Sequence, residues 1–300
     1  MVLLFKKKKI NLTNLKKKII LLGFASSDLT RSVKRFKSQA EKSNYYDQII
    51  VHTEKNLDKF CNTQIKNIIN LYGKRGYGYW FWKPYLISKV LDQINNNDIL
   101  HYLDIGCHII ENKHNNFTKF INILENDQNG ILGFQYNEPT KKIDPAIDFP
   151  RREEFKYTKA DLLNYFNFLD NLNIANSPQF WGGCIFIKKN IFSKKFINEW
   201  LNIFSKNLNL VNDSESKINN LNGFIENRHD QSIYSLLCKK YNVTSLSAYD
   251  FDWAIKQNKR CWEQTSESPF VAYRHLEYNM LRRFINRQKK NIRRFIKNLK

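Results

Sequence analysis

The segment Lys18-Ile-Ile-Leu-Leu-Gly-Phe-Ala-Ser-Ser27 is a short apolar run closed by a Gly/Ser turn, the pattern of a buried first strand. Asp28 to Lys42 follows as a helix, with Leu29, Val33, Phe36 and Ala40 spaced for one face. Tyr46 to His52 reads as a second strand and Asn56 to Ile69 as a second helix. Strand, helix, strand, helix is the order of an α/β sheet with parallel pairing.

The alternation continues along the chain. Pro84 to Asn95 reads as a helix with proline in its first turn, where a missing amide is harmless. Ile99 to Leu103 and Gly130 to Gln135 read as strands, with a helix over Phe117 to Glu125 between them. Residues 137 to 152, with Pro139, Pro145 and Pro150, read as a loop. A helix is expected over Tyr157 to Asn171 and a strand over Phe180 to Ile187. Helices over Phe192 to Ser205 and Asp230 to Tyr241 flank a polar loop, and residues 243 to 251 read as extended. A final helix is expected over Leu281 to Lys300. The reading is one compact domain over residues 1 to 280 with a basic C-terminal helix over 281 to 300.

Two segments carry chemistry. Arg75-Gly76-Tyr77-Gly78-Tyr79-Trp80-Phe81-Trp82-Lys83-Pro84-Tyr85 is a Gly/aromatic turn with cations at both ends. His101-Tyr102-Leu103-Asp104-Ile105-Gly106-Cys107 is a strand that ends on one carboxylate and a glycine. Ligands of open α/β sheets sit beyond the carboxyl ends of the strands. A carboxylate there can hold Mg²⁺ or Mn²⁺, and cations with backbone amides suit phosphates. Asp104 as a turn cap and Trp80 and Trp82 as core aromatics are the structural alternatives. Gly182-Gly183 lets backbone approach a ligand or form a bulge. Asp230 can cap its helix or act on a substrate hydroxyl.

The GYGYWxWKP and YxDxG segments, in this order, resemble those of GT-A glycosyltransferases, particularly bacterial capsule and lipopolysaccharide enzymes. The resemblance covers roughly residues 18 to 275. It implies a GT-A α/β fold with a mixed sheet flanked by helices, a nucleotide-sugar donor, a glycan or lipid-linked acceptor, and Mn²⁺ or Mg²⁺. Asp104 falls where such enzymes carry an Asp-any-Asp motif, with Gly106 in place of the second carboxylate. Metal binding is expected at Asp104 and His275. Donor contact is expected at Arg75, Tyr77, Gly78, Lys83, Asp104, Gly106, Gly182, Gly183 and Arg274. Gln179, Trp181 and His229 are expected on the acceptor side, and Asp230 as the catalytic carboxylate.

Composition bounds the alternatives. With 42% hydrophobic and 14% aromatic residues among 300, the chain can bury a sizeable core and is not of disordered type. The five cysteines are scattered with no CxxC spacing, which speaks against a disulfide framework or structural zinc and for a reducing, cytoplasmic setting. No apolar run reaches the roughly 20 residues of a membrane span, and the start does not read as a signal peptide. The net charge of +21 is concentrated at the ends, with nine Lys/Arg and no acid from Arg282 to Lys300. Leu281, Phe284, Ile285, Ile292, Phe295, Ile296 and Leu299 fall at helical spacing, so this tail suits an anionic membrane surface, here the inner face of the cytoplasmic membrane. A basic nucleic-acid-binding protein is the rival from another class; no nucleic-acid partner is expected, because no RNP, KH or helix-turn-helix pattern appears. A catalytically inactive GT-A-like binding protein is the other alternative.

Overall fold

The computed structural model describes residues 17–139, 144–273 and 288. Its centre is a six-stranded mixed sheet. The strands are β1 (Ile19–Phe24), β2 (Gln48–His52), β3 (Ile99–Leu103), β4 (Ile131–Gln135), β5 (Cys184–Lys188) and β6 (Thr244–Ser247). Their order is β2-β1-β3-β5-β4-β6. β1 runs parallel to β2 and β3, and β4 parallel to β6, while β5 is antiparallel to both its neighbours. The expected α/β sheet is therefore present, and β3, β4 and β6 all end on the same side.

The apolar run of β1 has a plain physical reason. Ile20, Leu22 and Phe24 enter one core while Leu21 enters another, because side chains alternate across a strand. On the first face pack α2 (Lys59–Tyr72), α3 (Trp82–Gln93), α5 (Ile191–Lys206) and α6 (Asp230–Lys240), represented by Ile65, Ile87, Trp200 and Leu236. On the second pack α1 (Thr30–Ser43) and α4 (His114–Asn126), represented by Phe36 and Phe117. Leu21 and Leu22 are fully buried, and each such side chain contributes about 2 kcal/mol. Local signals set the helix ends: Asp58 accepts from the Cys61 amide at the start of α2, and Asn190 with Ser193 forms a capping box on α5.

Several expectations need correction. The helix over 157–171 is broken into Glu154–Tyr157, Ala160–Tyr165 and Leu172–Ala175. Lys159 is drawn inward to donate to the carbonyls of Asn209 and Ser214 at 2.6 and 2.9 Å, and Asn167 takes a left-handed φ of 58°. The strand expected from Phe180 begins only at Cys184, with Phe180 forming an isolated bridge to Gln135. Within 137–152, Ile147–Asp148 pairs with Ala254–Lys256, so the loop contains a short strand. The extended segment ends at Ser247 and tightens into a 3₁₀ turn over Ala248–Asp250. The basic helix over 281–300, with Arg274 and His275, lies outside the described residues apart from Gln288, which is helical and exposed. No helix among the described residues is long and apolar enough to cross a membrane.

Candidate active site

β3 delivers Asp104 to the carboxyl end of the sheet. The Asp104 amide donates to Gly183 O at 2.8 Å, and its own carbonyl accepts from the Cys107 amide at 2.9 Å. The turn that follows is held from outside by Arg35 of α1, whose guanidinium donates to the carbonyls of Ile105 and Cys107 at 2.8 and 2.7 Å. The Tyr102 hydroxyl donates to Asp104 Oδ1 at 2.7 Å and orients the carboxylate. Asp104, Ile105 and Gly106 are all partly exposed.

The Gly/aromatic segment reaches the same place by an uncommon backbone. Gly76, Tyr77, Gly78, Tyr79 and Trp80 have φ of 54°, 53°, 83°, 52° and 64°, a single left-handed turn. Each non-glycine residue there costs roughly 1–2 kcal/mol. Packing and hydrogen bonds enforce it. The Trp80 indole lies so close over Gly76 that a Cβ there would stand 2.2 Å from the ring. Trp82 Nε1 donates to Gly76 O at 3.1 Å, and the Tyr79 hydroxyl donates to Tyr72 O at 3.1 Å. The turn leads directly into α3 and points Lys83 beneath the strand ends.

Lys83 is 3% exposed. Its ammonium lies 2.5 Å from Asp230 Oδ2, 2.9 Å from Gly182 O and 3.6 Å from Asp104 Oδ1. The centroid of the Tyr102 ring is 5.1 Å away. Burying one cation among two carboxylates leaves the group with a net charge of −1. Burial raises the Asp230 pKa above the ordinary carboxylate value and Asp104 adds to the rise, while Lys83 pulls it down. Buried Gly182 packs directly on the Lys83–Asp230 pair: a Cβ there would stand 3.4 Å from Gln231 and 3.7 Å from Asp230 Oδ2.

His229, immediately before Asp230, has a strained backbone of φ 55° and ψ −115°. Its ring stacks on Trp80 at 5.4 Å and meets the Tyr79 edge at 5.1 Å. The Val211 carbonyl can only accept, so the 2.6 Å contact puts the proton on His229 Nδ1. Burial lowers the His229 pKa to about 4, so the ring is neutral at pH 7. Asp213 gathers the other side of this cluster, accepting from Arg75 at 2.6 Å, and its Oδ2 lies 3.2 Å from the Tyr79 hydroxyl as the alternative acceptor to Tyr72 O.

The structure brings Lys83, Asp104, Gly182, Gly183 and Asp230 together. Lys83 is enclosed by the oxygens of Asp230, Gly182 and Asp104. Arg75 pairs with Asp213 at 2.6 Å and lies 3.9 Å from Glu226. Gly78 is buried against Ile65, and Tyr77 stacks on Phe24 with part of its ring exposed. Gln179, expected on the acceptor side, is fully buried and hydrogen-bonded to Thr158 and Gln231. Trp181 is a core residue against Phe251, and His229 is 2% exposed behind Trp80. Among the described residues no three His, Cys, Asp or Glu side chains gather into a metal-holding group. The two carboxylates present, Asp104 and Asp230, both within ion-pair distance of Lys83, do not by themselves match the oxygen-rich shell of Mn²⁺ or Mg²⁺.

Other contributors were not singled out from the sequence. Arg35 and Tyr102 position Asp104. Buried Glu154 pairs with Lys239 at 2.8 Å and accepts from Thr158 at 2.6 Å, tying α6 to the segment before β5. The strand-end pattern before Asp104 could have drawn attention to Tyr102; Arg35, Asp213 and Glu154 carry no local signal. A cavity of about 360 Å³ lined by Phe166, Phe168, Glu199 and Lys240 opens at the far end of α6, away from Asp230.

No protein-family model matches the chain, and no curated protein does. Solved structures with a similar arrangement include a glycosyltransferase involved in glycosylation of the major capsid of PBCV-1, 11% identical over 89% of this chain and 97% of that one, with a TM-score of 0.44. The glycosyltransferase GlyE of Streptococcus pneumoniae TIGR4 is 13% identical over 78% of this chain, with a TM-score of 0.36. This chain spans 46% of GlyE's length. Mouse xyloside xylosyltransferase 1 is 12% identical over 78% of this chain and 73% of its own, with a TM-score of 0.38. At these identities and scores the likeness carries no weight for activity, and function has to be read from this chain's own residues.

Proposed function

We propose that the chain is a glycosyltransferase of GT-A type. It moves a sugar from a nucleotide-sugar donor to a glycan or lipid-linked acceptor in capsule, lipopolysaccharide or other surface polysaccharide synthesis. One observation carries this reading: Lys83, Asp104, Gly182 and Asp230, from four separate parts of the chain, meet at the carboxyl end of β3 with a net negative charge. Asp104 is the outermost member, its side chain 23% exposed, and meets the donor first. Asp230 lies behind Asp104, across Lys83, and is the carboxylate that acts on the reacting carbon or the acceptor hydroxyl. A carboxylate there stabilises positive charge developing on the sugar or takes the hydroxyl proton. Lys83 holds both acids in place and opposes the rise that burial imposes on Asp230. Metal assistance stays a proposal resting on the family resemblance, and no step is assigned to a metal.

A thermal-shift series with UDP, GDP, CMP and their sugars, with and without Mn²⁺, tests the class. One nucleotide is expected to raise the unfolding temperature, by about 2.7 kcal/mol of stabilisation at a hundredfold excess over Kd. Asp104→Ala is expected to abolish that response while staying folded. Absence of any nucleotide response, or a response indifferent to Asp104, ends the proposal.

The basic tail over 281–300 is proposed to carry the enzyme to an anionic membrane, at the inner face of the cytoplasmic membrane. Co-sedimentation with vesicles containing phosphatidylglycerol is expected to drop when residues 281–300 are deleted. Unchanged pelleting removes this part of the reading.

A further inference from the structure

Beside Asp230 lies a second group of charges that the transfer step does not use. Arg228, two residues before Asp230, stacks its guanidinium 3.7 Å from the Tyr157 ring centroid. Its nearest carboxylate among the described residues, Glu226, is 4.0 Å away and 44% exposed. Arg152 is 7% exposed and lies 3.9 Å from the Tyr136 ring centroid and 4.8 Å from that of Trp253. Asp252 answers one side of Arg152 at 3.2 Å. The other terminal nitrogen, Nη2, is buried with no hydrogen-bond partner among the described residues. Arg260 covers the Trp253 ring at 4.3 Å. Both Arg152 and Arg228 act electrostatically on the Tyr136 hydroxyl, so the two cations share one neighbourhood.

Such an arrangement is costly unless something completes it. Withdrawing a cation from water and leaving a buried donor without an acceptor both oppose folding. Asp252 offsets only one of the two guanidiniums, and the exposed Glu226 is too distant to offset the other. Guanidinium forks fit oxyanions in a bidentate manner, and the Tyr157 and Trp253 rings hold the forks against flat faces.

We propose that Arg228, backed by Arg152, forms a subsite for an anionic group on the acceptor, the carboxylate of an acidic sugar or the phosphate of a phosphorylated one. Its place on the acceptor side rests on the glycosyltransferase reading above; its preference for an oxyanion does not. Arg228, with 24% of its side chain exposed, is the entrance, and Arg152 supplies the inner donor.

The test is calorimetric titration of the full chain with glucuronate, glucose 6-phosphate and uncharged glucose, with the nucleotide thermal shift measured on the same samples. At least one charged sugar is expected to bind about tenfold more tightly than glucose, the size of one charge-assisted hydrogen bond. Which of the two is preferred separates the carboxylate source from the phosphate source. Arg228→Met, which keeps packing on Tyr157, is expected to erase the preference and leave the nucleotide shift intact. Arg228→Lys keeps the charge without the fork and is expected to weaken it partly; it decides the matter if the methionine variant does not fold. Charged sugars binding no better than glucose, or equally well to either folded Arg228 variant, overturn the subsite. So does a preference lost in Asp104→Ala instead, which places the anion in the donor cleft. An Arg228-dependent preference without any nucleotide response keeps the subsite and sinks the transferase reading.

Discussion

Lys83→Met is expected to destabilise the protein by about 3–5 kcal/mol at pH 7, the cost of leaving a buried charge without its partner. Asp230 is 4% exposed, its Oδ2 lies 2.5 Å from the Lys83 ammonium, and Asp104 Oδ1 lies 3.6 Å from the same ammonium. Without the cation, burial and the like charge of Asp104 act on Asp230 against the Gln231 backbone hydrogen bond. The direction with pH follows from proton linkage. Asp230 already has a raised pKa in the folded state, so from about 4 upward the native protein holds its proton more tightly than the unfolded chain. Stability from this group therefore falls as pH rises through that window, and removing Lys83 widens the window. Urea unfolding is expected to show a larger loss at pH 7 than at pH 4. A loss equal at both pH values means that Lys83 acts through packing alone, and a loss below about 1 kcal/mol means that the ion pair is not formed.

Asp230→Asn is expected to do the opposite to stability while removing activity. The amide cannot ionise, so the penalty on a buried carboxylate disappears and the variant is expected to be at least as stable as the parent at pH 7. Near pH 4 the gain shrinks, because the parent is then partly protonated. Sugar transfer is expected to fall by about 10²–10⁴-fold, the usual contribution of a positioned acid or base. Nucleotide binding is expected to persist, since Asp104 is unchanged. The measurement is initial transfer rate together with unfolding at the two pH values. Full activity in Asp230→Asn restricts Asp230 to its structural place at the start of α6. A drop in stability at pH 7 shows that the carboxylate is more favourable where it is than its burial implies.

Much of the framework is legible in the chain itself. Ile99–Leu103 is found as read, and the strands around Ile20, Ile50 and Leu132 lie within a residue or two of their expected limits. A strand covered on both faces must be continuously apolar, and a helix on a sheet must repeat its apolar residues about every 3.6 positions. The misread pieces lack that periodicity. Residues 157–171 hold enough apolar side chains for a helix, but the pull of Lys159 toward Asn209 and Ser214 breaks it. Phe180 and Trp181 look like strand residues, yet the Trp181 ring folds over Gly183, where a Cβ would stand 2.4 Å from it, and the ladder starts only at Cys184.

Residue types at the site were readable; their partners were not. Asp104, Lys83 and Asp230 stand out from the sequence as ionisable groups at element ends. Gly106 left Asp104 without a near neighbour of its own kind, and nothing local indicated that Asp230 would lie across Lys83 from it. The lysine and Gly182 are 99 positions apart. Arg75 and Lys83 look alike as cations flanking one turn, but a left-handed backbone between them sends one to Asp213 and the other under the sheet.

Sequence alone determined the layered α/β frame, because backbone hydrogen bonding and the alternation of apolar residues are properties of neighbours along the chain. Only the tertiary structure decided which charge meets which, because an ion's partner and its exposure to water depend on segments folded in from elsewhere, and those two quantities set whether a carboxylate is a cap, a pair or a catalyst.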